Sequence, residues 1–464
     1  MNSDATLEGN YQQALDYLFS FVDYSLTRNL RYSPEKFDLG RMHAFMQRLG
    51  HPEACYPILH IAGTKGKGSV AAMCASVLQV GGYRTGFYTS PHLHDFTERI
   101  QVDGESISKA ELVELVEELK PHVAAIERLT TFEITTALAF MYFARRGCGV
   151  AVIEVGLGGR LDATNVLTPL VSVITSLSMD HMNVLGDTLA LIAAEKAGII
   201  KHGRPVVVAP QKDEALHVVV RIAHEQNSHL VQVGRDVYFA PAAHSLDHQS
   251  LLIWKAEEQP LVDEFIESGG RTEWQPIRLT IPLLGYHQVE NAATAYSTLQ
   301  VARQEGLAIS EEAIRQGLAQ VSWPGRFEIL RRNPALIVDS AHNRDSALRL
   351  RLAIEDYLPG KPVILVFGAS EDKDVHGMFA ELLPRVKRVV ATQSVHPRAM
   401  EAQKLVEMAH QFGVPAVAVL PLERALETAL EQAGSEAVVL AAGSLFIAAA
   451  VREVWQKMEM AEQV

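Results

Sequence analysis

The sequence predicts an α/β protein: a doubly wound, mostly parallel sheet domain over residues 1–322, followed by a smaller α/β domain over residues 323–464. Three observations carry this prediction. Short, continuous apolar runs alternate with amphipathic stretches along most of the chain, the pattern of strands buried on both faces and of the helices that cover them. Polar and glycine-rich turns cluster where the apolar runs end. The turn Trp323-Pro324-Gly325-Arg326 then interrupts the pattern before a second series of the same kind begins.

Composition narrows the class. A chain of 464 residues can build two or three domains with a large core. Hydrophobic residues at 48% and charged residues at 21% are those of an ordinary globular protein. No apolar run reaches the ~18 residues of a membrane span. Residues Met1 to Asn10 are polar and acidic, unlike a secretory or transit leader. Cys55, Cys74 and Cys148 lack paired spacing, so a reducing cytoplasm is expected, with Cys74 a small buried hydrophobe. A formal charge of −13 argues against a nucleic-acid partner. An acidic protein that binds a nucleotide must gather its cations locally, and Lys65, Lys67 and Arg99 are the early candidates.

Taken in order, residues 11–22 read as an amphipathic helix with Tyr11, Leu15, Leu18, Phe19 and Val22 on one face. Residues 24–49 are mixed and Gly50 closes them. Residues 56–59 read as a buried strand, followed by His60-Ile61-Ala62-Gly63-Thr64-Lys65-Gly66-Lys67-Gly68-Ser69. Val70, Met73, Cys74, Val77 and Leu78 then repeat with helical period until Gly81-Gly82. A strand over 83–89 ends at Ser90-Pro91-His92-Leu93. Ser108 and Glu111 have the spacing of a capping box for a helix through Glu118. Residues 132–144 are apolar nearly all round and form a buried helix. Strands follow at 150–155, 171–175 and 205–209, with a helix over 189–200. Residues 233–282 show scattered short strands and little helical signal, read as an antiparallel edge or flap. A helix runs from Asn291 to Gly306. In the second series the strands are 335–338, 363–367, 388–391, 416–420 and 437–440.

Ligands of such sheets collect at the carboxyl ends of the strands. The glycine-rich turn sits at one of these ends. Glycines admit close backbone approach, and helix N–H groups attract an anion. The spacing departs from the strict G-x-x-x-x-G-K-[ST] pattern, because Gly68 takes the Ser/Thr position. The alternative is a turn that only packs a helix on a sheet. Glu154 interrupts an apolar strand, and a buried carboxylate needs a cation, a metal or hydrogen bonds. Beside a phosphate loop the reading is magnesium; otherwise it caps neighbouring backbone. His181 at a strand end reads as structural, and Ser90 as a turn former. Lys196 lies on a helix among Ala193, Ala194, Ala197 and Ile199, where burial would shift its pKa and open it to modification. Arg326 reads either as a phosphate clamp or as a surface ion-pair partner. Asp339 reads either as a ribose ligand or as a helix cap.

Together these stretches resemble the folylpolyglutamate synthase/dihydrofolate synthase family of the Mur ligase superfamily, from about residue 11 to residue 455. The motifs that carry the resemblance are Gly63 to Ser69, Thr89 to Leu93, Glu154 to Asn165, Asp180-His181, Glu195 to Gly198, Pro324 to Arg326 and Asp339 to Asn343. The stretch from Glu154 to Asn165 is the most telling. The resemblance implies a P-loop-type first domain and a Rossmann-like second one. It implies that Gly63, Thr64, Lys65, Gly66, Lys67, Gly68 and Ser69 bind the phosphates of ATP. It implies that Ser90, Glu154 and His181 serve Mg2+, which reverses the structural reading of His181. Lys196 matches a lysine that is carbamylated in this superfamily. Asn291, Arg326 and Asp339 match ATP-contacting positions. Thr130, Thr131, Phe132 and Glu133, with Leu161, Asp162 and Ala163, match the region that holds the pterin end of the substrate. Lys67, Lys196, His181 and Arg326 are the residues implied in catalysis.

Lysine at 65 replaces the asparagine common in the family, and Ser340 and Arg344 replace a common glycine and proline, which leaves the loop after Asp339 open. The implied reaction joins L-glutamate to a folate or to dihydropteroate. ATP converts the acid to an acyl phosphate, which the amine attacks, with both domains presenting strand ends to one cleft. The chain is expected to act as a monomer on small molecules, without nucleic acid or membrane. Two alternatives stand beside this one. A peptidoglycan amino-acid ligase of the same superfamily would need a further N-terminal domain, for which the roughly sixty residues before the loop are too few. A nucleotide-binding switch without ligase activity would need only the loop and a mobile element.

Overall fold

A computed structural model describes residues 2–22, 38–180 and 182–462. The chain forms two compact units. The first is Met1–Ala240 with Leu251–Thr280 and Val289–Val321; the second is Pro241–Ser250 with Ile281–Gln288 and Ser322–Val464.

The first unit carries an eight-stranded sheet built from β1 (Ile58–Ala62), β2 (Thr85–Tyr88), β3 (Ile100–Val102), β4 (Glu105–Ser106), β5 (Val150–Glu154), β6 (Val171–Ile174), β7 (Val206–Val208) and β8 (Leu230–Gln232). Their order is β4-β3-β2-β5-β1-β6-β7-β8. Pairing is parallel from β2 to β8 and antiparallel at β3 and β4. Every residue of β1, β2, β5, β6 and β7 is buried, which is why these strands read as mostly apolar runs. Ile61 pairs with Glu154 and Ala62 with Ile174. The three central strands therefore end at one level, and the turns that leave them meet there.

Helices Lys67–Val80, Lys109–Val123, Thr131–Arg145 and Leu189–Ala197 stand where the apolar periods place them. Ser108 and Glu111 close a reciprocal capping box, as do Thr130 and Glu133. Cys74 is fully buried. Several boundaries differ from expectation. The first helix runs Asn2–Phe19 and stops where Ser20 turns its hydroxyl back to the Tyr17 carbonyl at 2.6 Å. Val22 lies beyond it, exposed and bridged to Thr130. Residues 60–62, read as turn, belong to β1. Residues 24–37 of the mixed stretch lie outside the described residues, after which Asp38 caps a helix Leu39–Arg48. The helix expected from Asn291 begins at Tyr286 and runs to Gln304, so Asn291 sits in its second turn.

The stretch expected as a flap is a separate three-stranded sheet of β9 (Val237–His244), β10 (Gln249–Lys255) and β11 (Ile277–Ile281), in the order β11-β10-β9. It also contains a helix, Gln259–Glu267, opened by a proline in its first turn. That helix buries only Val262 among its residues, although Leu261, Val262, Phe265 and Ile266 keep helical spacing.

The second unit holds a six-stranded sheet of β12 (Glu328–Arg332), β13 (Ala335–Val338), β14 (Val363–Phe367), β15 (Val386–Ala391), β16 (Ala416–Ala418) and β17 (Val438–Ala442), in the order β12-β13-β17-β14-β15-β16. All pairs are parallel except β12 with β13. The pattern did not announce β12: it is an edge strand rich in charge and half exposed, so it lacks a continuous apolar run. Two apolar clusters, one around Leu365, Phe367 and Phe379 and one around Val366, Leu426 and Ile447, pack this sheet against its helices. The α/β class expected for both series is the class observed.

Candidate active site

The turn after β1 has two halves with different chemistry. In the first, the Thr64 and Lys65 amides both donate to the Ser176 carbonyl at 3.0 Å, and the Thr64 hydroxyl donates to the Ser178 carbonyl at 3.2 Å. These bonds tie the turn to the segment leaving β6. In the second half, Gly66 occupies the N-cap position of helix Lys67–Val80 with φ of 85° and no side-chain cap. A Cβ at Gly66 would lie 2.2 Å from Asn291 Oδ1. Glycine is thus required there both by conformation and by the close approach of Asn291. The first-turn amides of this helix have no side chain capping them, the arrangement that receives an oxyanion.

Charged side chains converge on this turn. Lys67 Nζ lies 3.9 Å from Glu154 Oε1. Glu154, only 5% exposed, accepts on Oε2 from the Thr89 hydroxyl at 2.5 Å and from the Ser90 amide at 3.3 Å. Lys65 pairs with Asp180 at 3.0 Å. Lys196, also 5% exposed, donates to the Gly63 carbonyl at 2.9 Å. Burial first, and then the neighbouring charge of Lys67, pull the Lys196 ammonium down to about 7. Both effects favour the uncharged amine over the ammonium of an exposed lysine.

The loop that follows β5 is built around Asp162. Its Oδ2 accepts from the Leu157 amide at 2.9 Å, and its Oδ1 from the Thr164 amide and hydroxyl at 3.0 and 2.5 Å. Burial raises the pKa of this carboxyl, against the pull of those bonds. Gly159 lets the loop approach the end of helix Leu189–Ala197: a Cβ there would lie 2.8 Å from the carbonyls of Glu195 and Lys196. The Arg160 amide donates to Glu195 O at 2.7 Å. The same contact that packs this loop therefore also seats Lys196. Leu161 is half-buried and Ala163 buried.

Thr130 and Thr131 are buried at the start of helix Thr131–Arg145, and Thr131 donates to the Leu18 carbonyl at 2.9 Å. Phe132 is half-buried, its ring 6.2 Å from that of Tyr88. Glu133 accepts from the Thr130 amide at 2.8 Å and faces Arg41 Nε at 3.5 Å; burial raises its pKa.

In the second unit, Asp339 follows β13 with both carboxylate oxygens engaged, Oδ2 by the Phe327 amide at 2.7 Å and Oδ1 by the Ala341 amide at 2.8 Å. It is not the helix cap. Asn343 caps helix Arg344–Tyr357 through Ser346. Arg326 donates to the Gly325 carbonyl at 3.1 Å and to the Ser340 hydroxyl. The Ser340 amide also donates to the Gly325 carbonyl at 3.0 Å, which ties the loop after Asp339 to the turn before Arg326.

In the first unit the structure brings together Lys65, Lys67, Ser90, Glu154, Lys196 and Asn291 around one turn. His181 lies outside the described residues. The motifs Thr89–Leu93 and Asp180-His181 included Thr89, which grips Glu154, and Asp180, which holds Lys65, but sequence reasoning gave neither a role. Both are the first residues of their motifs, and that membership was the available signal. Among the described residues no group of three or more His, Cys, Asp or Glu is disposed to hold a metal ion. Glu154 and Ser90 are hard oxygen donors beside the turn, a set that suits Mg2+, which keeps water and phosphate as its other ligands.

The Mur ligase middle domain matches residues 61–299, and the Mur ligase, glutamate ligase domain matches residues 325–445. The chain is 38% identical to the dihydrofolate synthase/folylpolyglutamate synthase of Bacillus subtilis over 444 residues, 93% of this chain and 99% of that one. Mycobacterium tuberculosis folylpolyglutamate synthase, solved in complex with ADP and AMPPCP, superposes with a TM-score of 0.82 at 30% identity, over 97% of this chain and 99% of that one. Escherichia coli FolC in complex with DHPP and ADP gives a TM-score of 0.81 at 30% identity, over 97% and 98%. The chain belongs to the folylpolyglutamate synthase/dihydrofolate synthase family of Mur ligases.

Proposed function

We propose that this chain is an ATP-dependent ligase that joins L-glutamate to the carboxyl of a folate, and also of dihydropteroate, through an acyl phosphate. The observation that carries the reading is the turn Gly63–Ser69, with Lys67 and the buried Glu154 facing each other beside uncapped helix amides. Gly63, Thr64, Lys65, Gly66, Gly68 and Ser69 hold the phosphates. Asn291, Arg326 and Asp339 contact the rest of the nucleotide. A carboxylate does not lose its oxygen to an amine, so the γ-phosphoryl group is first transferred to it. Lys67 and Arg326 stabilise the charge that moves with that group. The amino group of glutamate then attacks the acyl carbon, and phosphate leaves. Thr130, Thr131, Phe132, Glu133, Leu161, Asp162 and Ala163 hold the pterin end.

Ser90 and Glu154, with His181, would hold Mg2+, which offsets phosphate charge when bound. Lys196 is assigned to carbamylation: its lowered pKa supports a neutral amine able to take up carbon dioxide, exchanging a cation for an anion. The protein acts in the cytoplasm as a monomer, without nucleic-acid or membrane partners. No described helix is long and apolar enough to cross a membrane, and the formal charge is −13.

The test is incubation of the pure protein with ATP, Mg2+, glutamate and each pterin acid in turn, with products weighed by mass spectrometry. A gain of one or more glutamyl units is expected. ADP release that needs neither pterin nor glutamate would instead favour a nucleotide switch.

A further inference from the structure

β1 carries one polar side chain, His60, between Ile58 and Ala62 on the same face of the strand. Ile58 joins one apolar cluster of the first unit and Ala62 another, so His60 stands between two dry regions. It is fully buried. Its register partner on β6 is Ser172, also buried, whose hydroxyl donates to the Ile199 carbonyl at 3.1 Å. A buried imidazole in a central strand is costly unless it is hydrogen-bonded, and the reaction proposed above does not use it.

Its partner lies 104 residues away. His60 Nε2 is 2.8 Å from Thr164 Oγ1. The Thr164 hydroxyl in turn lies 2.5 Å from Asp162 Oδ1. A carboxylate only accepts, so the threonine proton points to Asp162. Thr164 must then accept from His60, which fixes the imidazole as the neutral Nε2–H tautomer. Asp162 passes the constraint on through Oδ2 to the Leu157 amide. A line of directed hydrogen bonds thus runs from the strand that ends in the phosphate turn to the loop between Gly156 and Asn165. On the far side Lys201 holds the same loop by donating to the Asn165 carbonyl at 2.8 Å.

We propose that His60 is a positioning residue for the pterin substrate: through Thr164 and Asp162 it sets the loop that presents Leu161 and Ala163, and so tunes pterin affinity without touching substrate or nucleotide. This rests on the assignment of that loop to the pterin end.

The test compares full-length wild type with His60→Leu, His60→Gln, Thr164→Val and the Leu/Val double variant. It measures kcat, the KM for dihydropteroate or folate, the KM for ATP, and Tm. Loss of the donor should raise the pterin KM about tenfold, with the ATP KM within about twofold. Glutamine places an N–H near Nε2 and should restore most of the affinity. Thr164→Val should reproduce His60→Leu, and the double variant should be no worse than either single one, because both cut the same line. Equal rises in both KM values that track Tm and are not rescued by glutamine would overturn the proposal. So would additive single effects, or an unchanged pterin KM in His60→Leu. Nitrogen NMR of the wild-type imidazole should show Nε2 protonated and Nδ1 bare, and the opposite tautomer also overturns it. Should wild type turn over no pterin at all, the functional reading falls, while the NMR and the Thr164→Val response of its signal still decide the relay.

Discussion

The two units make the same topological move and use it differently. In the first, β1 ends in a turn that opens helix Lys67–Val80; in the second, β13 ends in a turn that opens helix Arg344–Tyr357. The first turn has glycine at the N-cap and leaves the helix amides uncapped, with Lys67 and Lys65 beside them. The second is closed by its own side chains: Asn343 and Ser346 cap the helix, and Asp339 accepts from two backbone amides. A strand-to-helix turn becomes an anion site only when its donors are left unsatisfied by the protein. By that rule the first turn is open to an anion, as the proposed phosphate site requires, and the second holds a fixed shape around Arg326 and Asp339.

Four experiments would break or sharpen this contrast, in falling order of effect. Lys67→Ala removes the cation at the first turn and should lower kcat by about 10²–10³-fold. A loss below tenfold in steady-state turnover would remove Lys67 from the transition state. Gly66→Ala forces a side chain into a left-handed position and toward Asn291. A strain of about 1–2 kcal/mol plus the clash should raise the ATP KM at least about tenfold. An equivalent ATP KM would mean the turn relaxes freely and its shape does not matter.

The third experiment is the pH dependence of unfolding by urea. Burial, and then Lys201, depress His60 to about 3. Between that value and the ordinary histidine pKa near 6.5, only the unfolded chain holds the proton. Stability therefore falls with falling pH, by about 1.4 kcal/mol per pH unit. His60→Gln should remove that slope. At the second turn the sign is reversed: burial raises Asp339, so just above the ordinary carboxylate pKa the folded chain holds the extra proton. Stability there is lost as pH rises, and Asp339→Asn should remove that loss. Slopes of one sign for His60 and Asp339 would refute these two assignments. Last, Asn343→Ala should cost about 1 kcal/mol of stability, read as a shift in the urea midpoint, with the KM values for ATP and substrate unchanged. A rise in the ATP KM would show that the cap takes part in binding after all.

Much of this was legible in the chain. Continuous apolar runs identified the buried parallel strands, because a strand covered on both faces has no polar side to show. The glycine-lysine turn, Glu154 within an apolar run and Lys196 among alanines marked the chemistry, because charge in those places is costly without a use. Edge and surface elements were not legible. The strand β12 buries few side chains, so its sequence lacks a continuous apolar run, and the helix Gln259–Glu267 is short, with only nine residues and only Val262 buried.

By itself, then, the sequence determined the class of fold, the place of the glycine-lysine turn and the kinds of side chain around it, since these follow from local periodicity and residue chemistry. Tertiary structure alone decided who meets whom. Thr89 grips Glu154 across 65 residues, Asn291 crowds Gly66, and His60 reaches Asp162 through Thr164. Such pairings depend on strand order and register, which place β5 and β6 on either side of β1, and no local pattern encodes that arrangement.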